Sequence, residues 1–213
     1  MLFRSPVDPQ LLVFSCFGWN FLQFNKAVRL YYTGESLHPD FRFCDFSLSF
    51  DEDNYGGRNL RYPLYVLLNR EKELLQPKIP EQILPFKTRF CNMVVSQAKC
   101  KYRIEFYKVL NRLQRVDSGG KLLNNVGGPV ADKLSFIRNY RFTLAMENKQ
   151  QEGYTTEKIL EPMLMQSVPV YWGNPQIKQE FNPDSFIDIT DFDSLSEAAK
   201  FIVDLDKDRQ QIG

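Results

Sequence analysis

The chain has 213 residues, 43% of them hydrophobic, which is enough for one large domain or two small ones. A formal net charge of +1 gives no basic field for a nucleic-acid partner. The single histidine, His38, excludes H-E-x-x-H and His-rich zinc sites and leaves a carboxylate as the expected base of any acid–base chemistry.

Cys16, Cys44, Cys91 and Cys100 show no C-x-x-C spacing, and the first three sit in apolar runs. They are expected to be reduced, mostly buried thiols in a reducing compartment. The apolar run "LLVFSCFGWNFL" from Leu11 is shorter than the roughly 20 residues that cross a bilayer. Pro6, Asp8 and Pro9 break the start of any secretory signal, and no small-residue cleavage site follows. A strand is the better reading.

In chain order, "LLVFSCF" and "AVRLYY" read as buried strands and the alternating "FCDFSLSF" as a third. "LRYPLYVLLNREKELL" turns helical after Pro63, a residue suited to a first turn. "QPKIPEQILPFKTR" carries Pro77, Pro80 and Pro85, which resist both helix and central strand. It reads as a linker between lobes 1–80 and 81–213. "FCNMVVS" opens the second lobe as a strand. "KYRIEFYKVLNRLQ" follows as an amphipathic helix with Ile104, Tyr107, Leu110 and Leu113 on its apolar stripe. "DSGGKLLNNVGG" is a glycine-rich loop. "DKLSFIRNY" is a short helix, "RFTLAM" a strand, "TTEKILEPMLMQ" a helix and "VPVYWG" a strand. "NPQIKQEF" (helix), "FIDIT" (strand) and "SLSEAAKFIVDLDKD" (helix) complete the chain. This alternation predicts an α/β fold with parallel sheets covered on both faces.

Ligands of open parallel sheets sit at the carboxyl ends of strands, beside the amino ends of the following helices. The segment "ENKQQEGYTTEK" occupies that position after "RFTLAM" and collects Glu147, Asn148, Tyr154, Glu157 and Lys158 around Gly153. Thr155 or Thr156 can cap the next helix, whose free N–H groups attract an anion, and Lys158 adds a full charge. Pro162 is expected to kink that helix. The residues leave two readings open: a phosphate-type anion site, or an ordinary capped helix with a surface lysine. "DSGG" reads as a tight turn at Gly119 and Gly120, since Asp117 would repel a phosphate. "DED" (Asp51 to Asp53) has the D-x-D spacing of metal–diphosphate sites but reads as a solvated turn, and His38 as a surface-loop histidine.

"MENKQQEGYTTEKI" followed by "VPVYWGNP" resembles the signature of the α-1,3/α-1,4-fucosyltransferases, glycosyltransferase family ten: E-N, a short spacer, G-Y-x-T-E-K-I, then P-x-Y-W-G. The flanking "VDSGGKLLNNVGGPVADKLSFIRNYRF" and "FNPDSFIDITDFDSLSEAAKFI", and the earlier "YYTGE" and "LRYPLYV", extend the resemblance over most of the chain from about Val28. It implies a GT-B fold of two Rossmann-like lobes, with the N-terminal lobe holding the acceptor and the C-terminal lobe holding GDP-fucose. It further implies inverting transfer of L-fucose from GDP-β-L-fucose to a hydroxyl of N-acetylglucosamine or glucose. The glycan would be of the N-acetyllactosamine or lipopolysaccharide side-chain kind. By position, Arg103 and Lys158 resemble the residues that grip the diphosphate, and Asn148 and Tyr154 belong to the same pocket. Glu157 resembles a contact to sugar or ribose hydroxyls, and Glu35 the proposed base. No cofactor is required and no metal motif is present, although Mn²⁺ stimulates many members. The resemblance implies a cytoplasmic enzyme, with peripheral association at the inner membrane.

Only 34 residues precede Glu35, fewer than in relatives, so the acceptor lobe is expected to be incomplete. The chain stops at "DKDRQQIG", without the repeats and basic amphipathic segment that some relatives carry. Two further readings compete: a GT-B transferase for another guanine-nucleotide sugar, and a truncated or degenerate relative that binds GDP-fucose without turnover.

Overall fold

The computed structural model describes residues 8–208. Pro6 and the outer ends of the expected lobes, at 1 and 213, lie outside the described residues.

The first sheet contains β1 (Leu11–Phe14), β2 (Val28–Tyr32), β3 (Phe46–Ser49) and β4 (Asn59–Arg61), parallel and in that order. The expectation of two fully buried strands is corrected. β1 is the sheet edge, and Leu11, Val13 and Val28 are exposed on one face. The opposite face is partly polar. Ser47 and Ser49 are buried and donate to Asn59 Oδ1 at 2.7 and 2.9 Å. β4 was not foreseen, because three residues with Asn at the start carry no period.

The helix expected after Pro63 is two short ones, α1 (Leu64–Leu67) and α2 (Glu71–Leu74). Pro63 is the N-cap, and Asn69 breaks the run with φ +49, a left-handed conformation that Asn tolerates better than most residues. The proline-rich linker is not irregular throughout. Pro80 opens α3 (Pro80–Ile83) at the first helical position, where its missing N–H costs nothing.

The second sheet is built from β5 (Arg89–Met93), β6 (Val116–Ser118), β7 (Tyr140–Met146), β8 (Val168–Trp172) and β9 (Ile187–Asp188). All are parallel, in the order β6-β5-β7-β8-β9. β6 falls in the stretch read as loop. Its helices are α4 (Lys101–Leu113), α5 (Lys133–Ile137), α6 (Glu157–Leu164), α7 (Ile177–Glu180) and α8 (Leu195–Lys207). One face packs Phe106 and Leu110 of α4 and Ala199 and Ile202 of α8 on Met93, Phe142 and Val170. The other packs Ile159 and Met163 of α6 and Ile177 of α7 on Ala145 and Tyr171. Each buried Leu, Ile, Val, Phe or Met side chain among them contributes about 1.5–3 kcal/mol.

The buried stripe of α4 differs from the expected one. It is Arg103, Phe106, Tyr107 and Leu110, while Leu113 is exposed. Tyr107 and Leu110 are buried as expected, while Arg103 and Phe106 stand in place of Ile104 and Leu113, which carries an arginine into the interior at the amino end. α6 runs on through Pro162 to Leu164, so the proline does not end it. α1 and α2 pack against α6, and Leu74 joins the apolar cluster beneath it. Elements before the linker therefore complete the packing of the second sheet.

Candidate active site

The order of the second sheet fixes where a ligand can bind. From β5 the chain moves outward to β6, then crosses back to place β7 on the other side of β5. The crevice between the carboxyl ends of β5 and β7 is the switch point of the sheet, the usual ligand position in open α/β folds. The amino ends of α4 and α6, which follow β5 and β7–loop respectively, flank it.

Arg103 enters from α4. It is 0% exposed. Its Nη1 donates to Met146 O at 2.9 Å and Asn148 Oδ1 at 3.1 Å, and its Nη2 to Gln97 O at 3.0 Å, while the buried Nε has no partner. Among the described residues no carboxylate lies within ion-pair distance of it, and burial pushes its pKa downward. A charge held out of water without a counter-charge is costly.

The loop from β7 to α6 supplies the rest. Glu147 is wholly buried. Its Oε1 accepts from Thr156 N at 2.8 Å and Thr156 Oγ1 at 2.7 Å, and its Oε2 lies 3.0 Å from Lys158 Nζ. Thr156, not Thr155, caps α6, accepting from Lys158 N. Burial pushes the Glu147 carboxyl up, and Lys158 and Thr156 offset this only in part. Lys158 is not the surface lysine of the capped-helix alternative, since its side chain is only 18% exposed. Burial disfavours its charge, but Glu147 and Glu157 outweigh that and raise its pKa. Glu157 lies 3.7 Å from Lys158 Nζ and 3.9 Å from Lys133 Nζ. The two lysines outweigh its burial and lower its pKa.

Close backbone approach explains the glycines. A Cβ on Gly173 would lie 2.5 Å from the Cγ of Glu147, so this glycine of "VPVYWG" makes room for the buried carboxylate. Gly153 has φ +71, and a Cβ there would lie 2.3 Å from Phe50 O, in the first sheet's lobe. A Cβ on Gly120 would likewise lie 2.0 Å from Val95 O, so this glycine too permits a close backbone approach.

The loop is bound to the first lobe along its length. Tyr154 is buried and meets Phe50 edge to face at 5.4 Å. Arg61 Nη2 donates to Gly153 O at 3.1 Å and to Glu180 Oε1 at 2.6 Å. Gln151 accepts from Ser36 Oγ at 2.6 Å and contacts His38 Nε2 at 2.6 Å, while His38 Nδ1 lies 2.6 Å from Asp51 Oδ1. His38 is the exposed loop histidine expected, and it also bridges the two lobes. One reading is corrected. Asp51 is buried and also accepts from Tyr55 OH at 3.0 Å, so only Glu52 and Asp53 of the triplet are exposed.

Of the six residues singled out in the sequence, Arg103 and Asn148 touch, and so do Glu157 and Lys158. Tyr154 lies among them. Burial first, then the charges of Glu147, Glu35 and Glu157, push its hydroxyl above the ordinary pKa, while Arg103 pulls it down. Glu35 is exposed on the loop after β2, its N–H donating to Thr33 Oγ1 at 3.0 Å. It makes no hydrogen bond or ion pair to the other five. Glu147 was part of the polar cluster but received no role. Its signal was the requirement for a glycine beside it, visible only once β7 and β8 are paired.

A profile described as "Glycosyltransferase family 10 (fucosyltransferase) C-term" matches residues 84–212, more than half of the chain. The chain belongs to glycosyltransferase family 10. A second profile, the N-terminal domain of α-(1,3)-fucosyltransferase FucT, matches residues 3–68 of this family-10 chain. It is 32% identical to the α-(1,3)-fucosyltransferase FucT of Helicobacter pylori over 85% of its own length, and spans 45% of that protein. A solved α1,3-fucosyltransferase superposes with a TM-score of 0.82 at 30% identity, covering 95% of this chain and 68% of the other. A crystal structure of an α1,3-fucosyltransferase with GDP-fucose superposes with a TM-score of 0.80 at 26% identity, covering 100% of this chain and 82% of the other. The parallel two-sheet fold is thus that of the solved family members.

Proposed function

We propose that this chain moves L-fucose from GDP-β-L-fucose to a hydroxyl of N-acetylglucosamine or glucose in a glycan, with inversion at the anomeric carbon. One observation carries the reading most strongly. Arg103 is a fully buried guanidinium with no carboxylate partner, at the switch point of a parallel sheet. Such a residue is costly unless an anion completes it, and a nucleoside diphosphate is the anion that this crevice suits.

In this reading residues 81–213 hold the donor and residues 1–80 present the acceptor. Arg103 and Lys158 offset the charge that grows on the β-phosphate as the bond to the fucose anomeric carbon breaks. Lys158 exchanges part of its contact with Glu147 for phosphate oxygens. Asn148 and Tyr154 wall the pocket, and Glu157 accepts from sugar or ribose hydroxyls. The acceptor oxygen attacks the anomeric carbon on the face opposite the diphosphate, Glu35 takes its proton, and GDP leaves as a stable anion without a general acid. Among the described residues no group of three or more His, Cys, Asp or Glu side chains is placed to hold a metal ion. In this reading the step runs through side chains alone. N-acetyllactosamine and lipopolysaccharide side chains are the acceptors proposed. The four free thiols suit the cytoplasm, with work done peripherally at the inner membrane.

The test is incubation with GDP-fucose and N-acetyllactosamine, with fucosylated disaccharide as the expected product. GDP at one hundred times its dissociation constant should stabilise the fold by about 2.7 kcal/mol. Stabilisation without product would demote the chain to a donor-binding relative. A larger thermal shift with UDP-sugars than with GDP would overturn the donor.

A further inference from the structure

The first lobe contains a cavity that the transfer step leaves unused. It lies at the carboxyl ends of β1 and β2 and encloses ≈ 280 Å³. Its walls are aromatic: Phe14, Trp19, Phe21, Tyr31 and Phe43. Phe14 stacks on Phe21 at 4.1 Å between ring centroids, and Phe43 stands edge-on to Trp19 at 6.1 Å and to Phe21 at 6.4 Å. This is not closed core. Trp19 is 67% exposed and forms an open outer wall. The rim is polar, with the Asp40 carboxylate held by Arg42 Nε at 2.9 Å and Nη2 at 2.6 Å.

The chemistry matches one class of ligand. A pyranose ring has an apolar C–H face and a rim of hydroxyls. Aromatic faces take the first, and a carboxylate oriented by an arginine takes the second. The cavity is at the small end of ligand pockets, which begin near about 300 Å³, so it suits a single ring. Its position matters as much. Leu37 and His38 line it, and the Leu37 N–H folds back onto Glu35 O at 2.8 Å. The cavity therefore opens on the loop that carries the proposed base.

We propose that this aromatic box is a carbohydrate subsite that holds a second pyranose ring of the acceptor, the ring next to the one that receives fucose. The proposal rests on the transferase reading for its place in the reaction, but binding of the sugar can be tested apart from it.

The experiment compares Trp19→Ala and Trp19→Phe with the wild type, using N-acetylglucosamine and N-acetyllactosamine as acceptors. Trp19→Ala should raise KM for the disaccharide about tenfold, the size of one good aromatic contact. It should leave kcat/KM for the monosaccharide and the affinity for GDP unchanged, and Trp19→Phe should recover most of the loss. An unchanged ratio of disaccharide to monosaccharide kcat/KM would overturn the subsite. If the wild type makes no product, the transferase reading fails on its own. The subsite is then read from Trp19 fluorescence in a Trp172→Phe background titrated with N-acetyllactosamine. A saturable change supports it, and no change overturns it. The same titration decides the matter if Trp19→Ala does not fold.

Discussion

Replacing Arg103 with methionine separates a charge kept for a ligand from one kept for the fold. Methionine retains a long, adaptable side chain and removes the guanidinium. In the free protein the change acts in two directions. The bonds to Met146 O, Gln97 O and Asn148 Oδ1 are lost, and hydrogen bonds of a charged group are worth about 1.5–3 kcal/mol each. Against this, the variant no longer holds an unpaired ion out of water, a penalty of several kcal/mol. The two largely offset, so stability should move by less than about 2 kcal/mol, or less than about 8 °C in Tm for a chain of this size. GDP has no such compensation. Losing a charge-assisted contact should weaken it by about 1.5–3 kcal/mol, roughly 10- to 150-fold. Scanning calorimetry gives the first quantity and titration calorimetry with GDP the second. A variant that melts far below the wild type yet, once folded, binds GDP with unchanged affinity would show that Arg103 is a structural strut, and the anion site would lose its main support.

Glu35→Gln keeps the shape of the proposed base but cannot take a proton, so turnover should fall by roughly 10²–10⁴-fold while titration calorimetry finds GDP affinity unchanged. Gly153→Ala forces an L-residue into a left-handed conformation, costing about 1–2 kcal/mol, and drives its Cβ into Phe50 O. The donor loop should shift, with weaker GDP binding and a lower Tm, and a fully active variant would refute the close approach. Lys87 is buried, donating to Arg138 O and Met165 O at 2.8 and 2.6 Å, and burial, then Arg138, lowers its pKa from 10.5 to about 8. Between those values the unfolded chain binds more protons than the native one, so this residue's contribution to stability rises with pH. Urea denaturation should therefore show wild type gaining on Lys87→Met between pH 8 and 10.5, and a gap that is flat or shrinks would contradict the burial argument.

How much of this was legible depends on the range of the interaction. The strand–helix alternation of the second lobe was readable because each element is long enough to show its period. β4 and β6, three residues each, have no period and were invisible. The apolar stripe of α4 was read correctly at Tyr107 and Leu110 but gave Ile104 and Leu113 in place of Arg103 and Phe106, because the pattern alone does not reveal a buried cation. The loop after β7 stood out as a candidate site from its residue types and position, with an ordinary capped helix as the other reading. The partner of Lys158 was not, because Glu147 is eleven residues away and its burial depends on a glycine in the next strand's turn. His38 and Asp51 were each read alone as surface residues. Their contact is with each other, and His38 also meets Gln151, more than a hundred residues away.

Those long-range contacts bear on how the site works. The loop that carries Tyr154 and leads into Glu157 and Lys158 of α6 is held from two sides. Within its own sheet, Asn174 Oδ1 accepts from Gly153 N at 3.0 Å, and Glu147 fixes Thr156. From the first lobe, Phe50 covers Gly153 and Tyr154, Arg61 grips Gly153 O, and Ser36, next to Glu35, bonds Gln151. One short segment therefore joins the proposed donor contacts to the loop of the proposed base. A shift of the donor loop cannot leave the Glu35 loop untouched, because Ser36 and His38 hold Gln151 from either side of Leu37. For the proposed inverting reaction this is a useful constraint. The base must lie on the face opposite the leaving diphosphate, and proximity of that kind is worth more when both groups are fixed to one piece of backbone than when each rides on its own lobe.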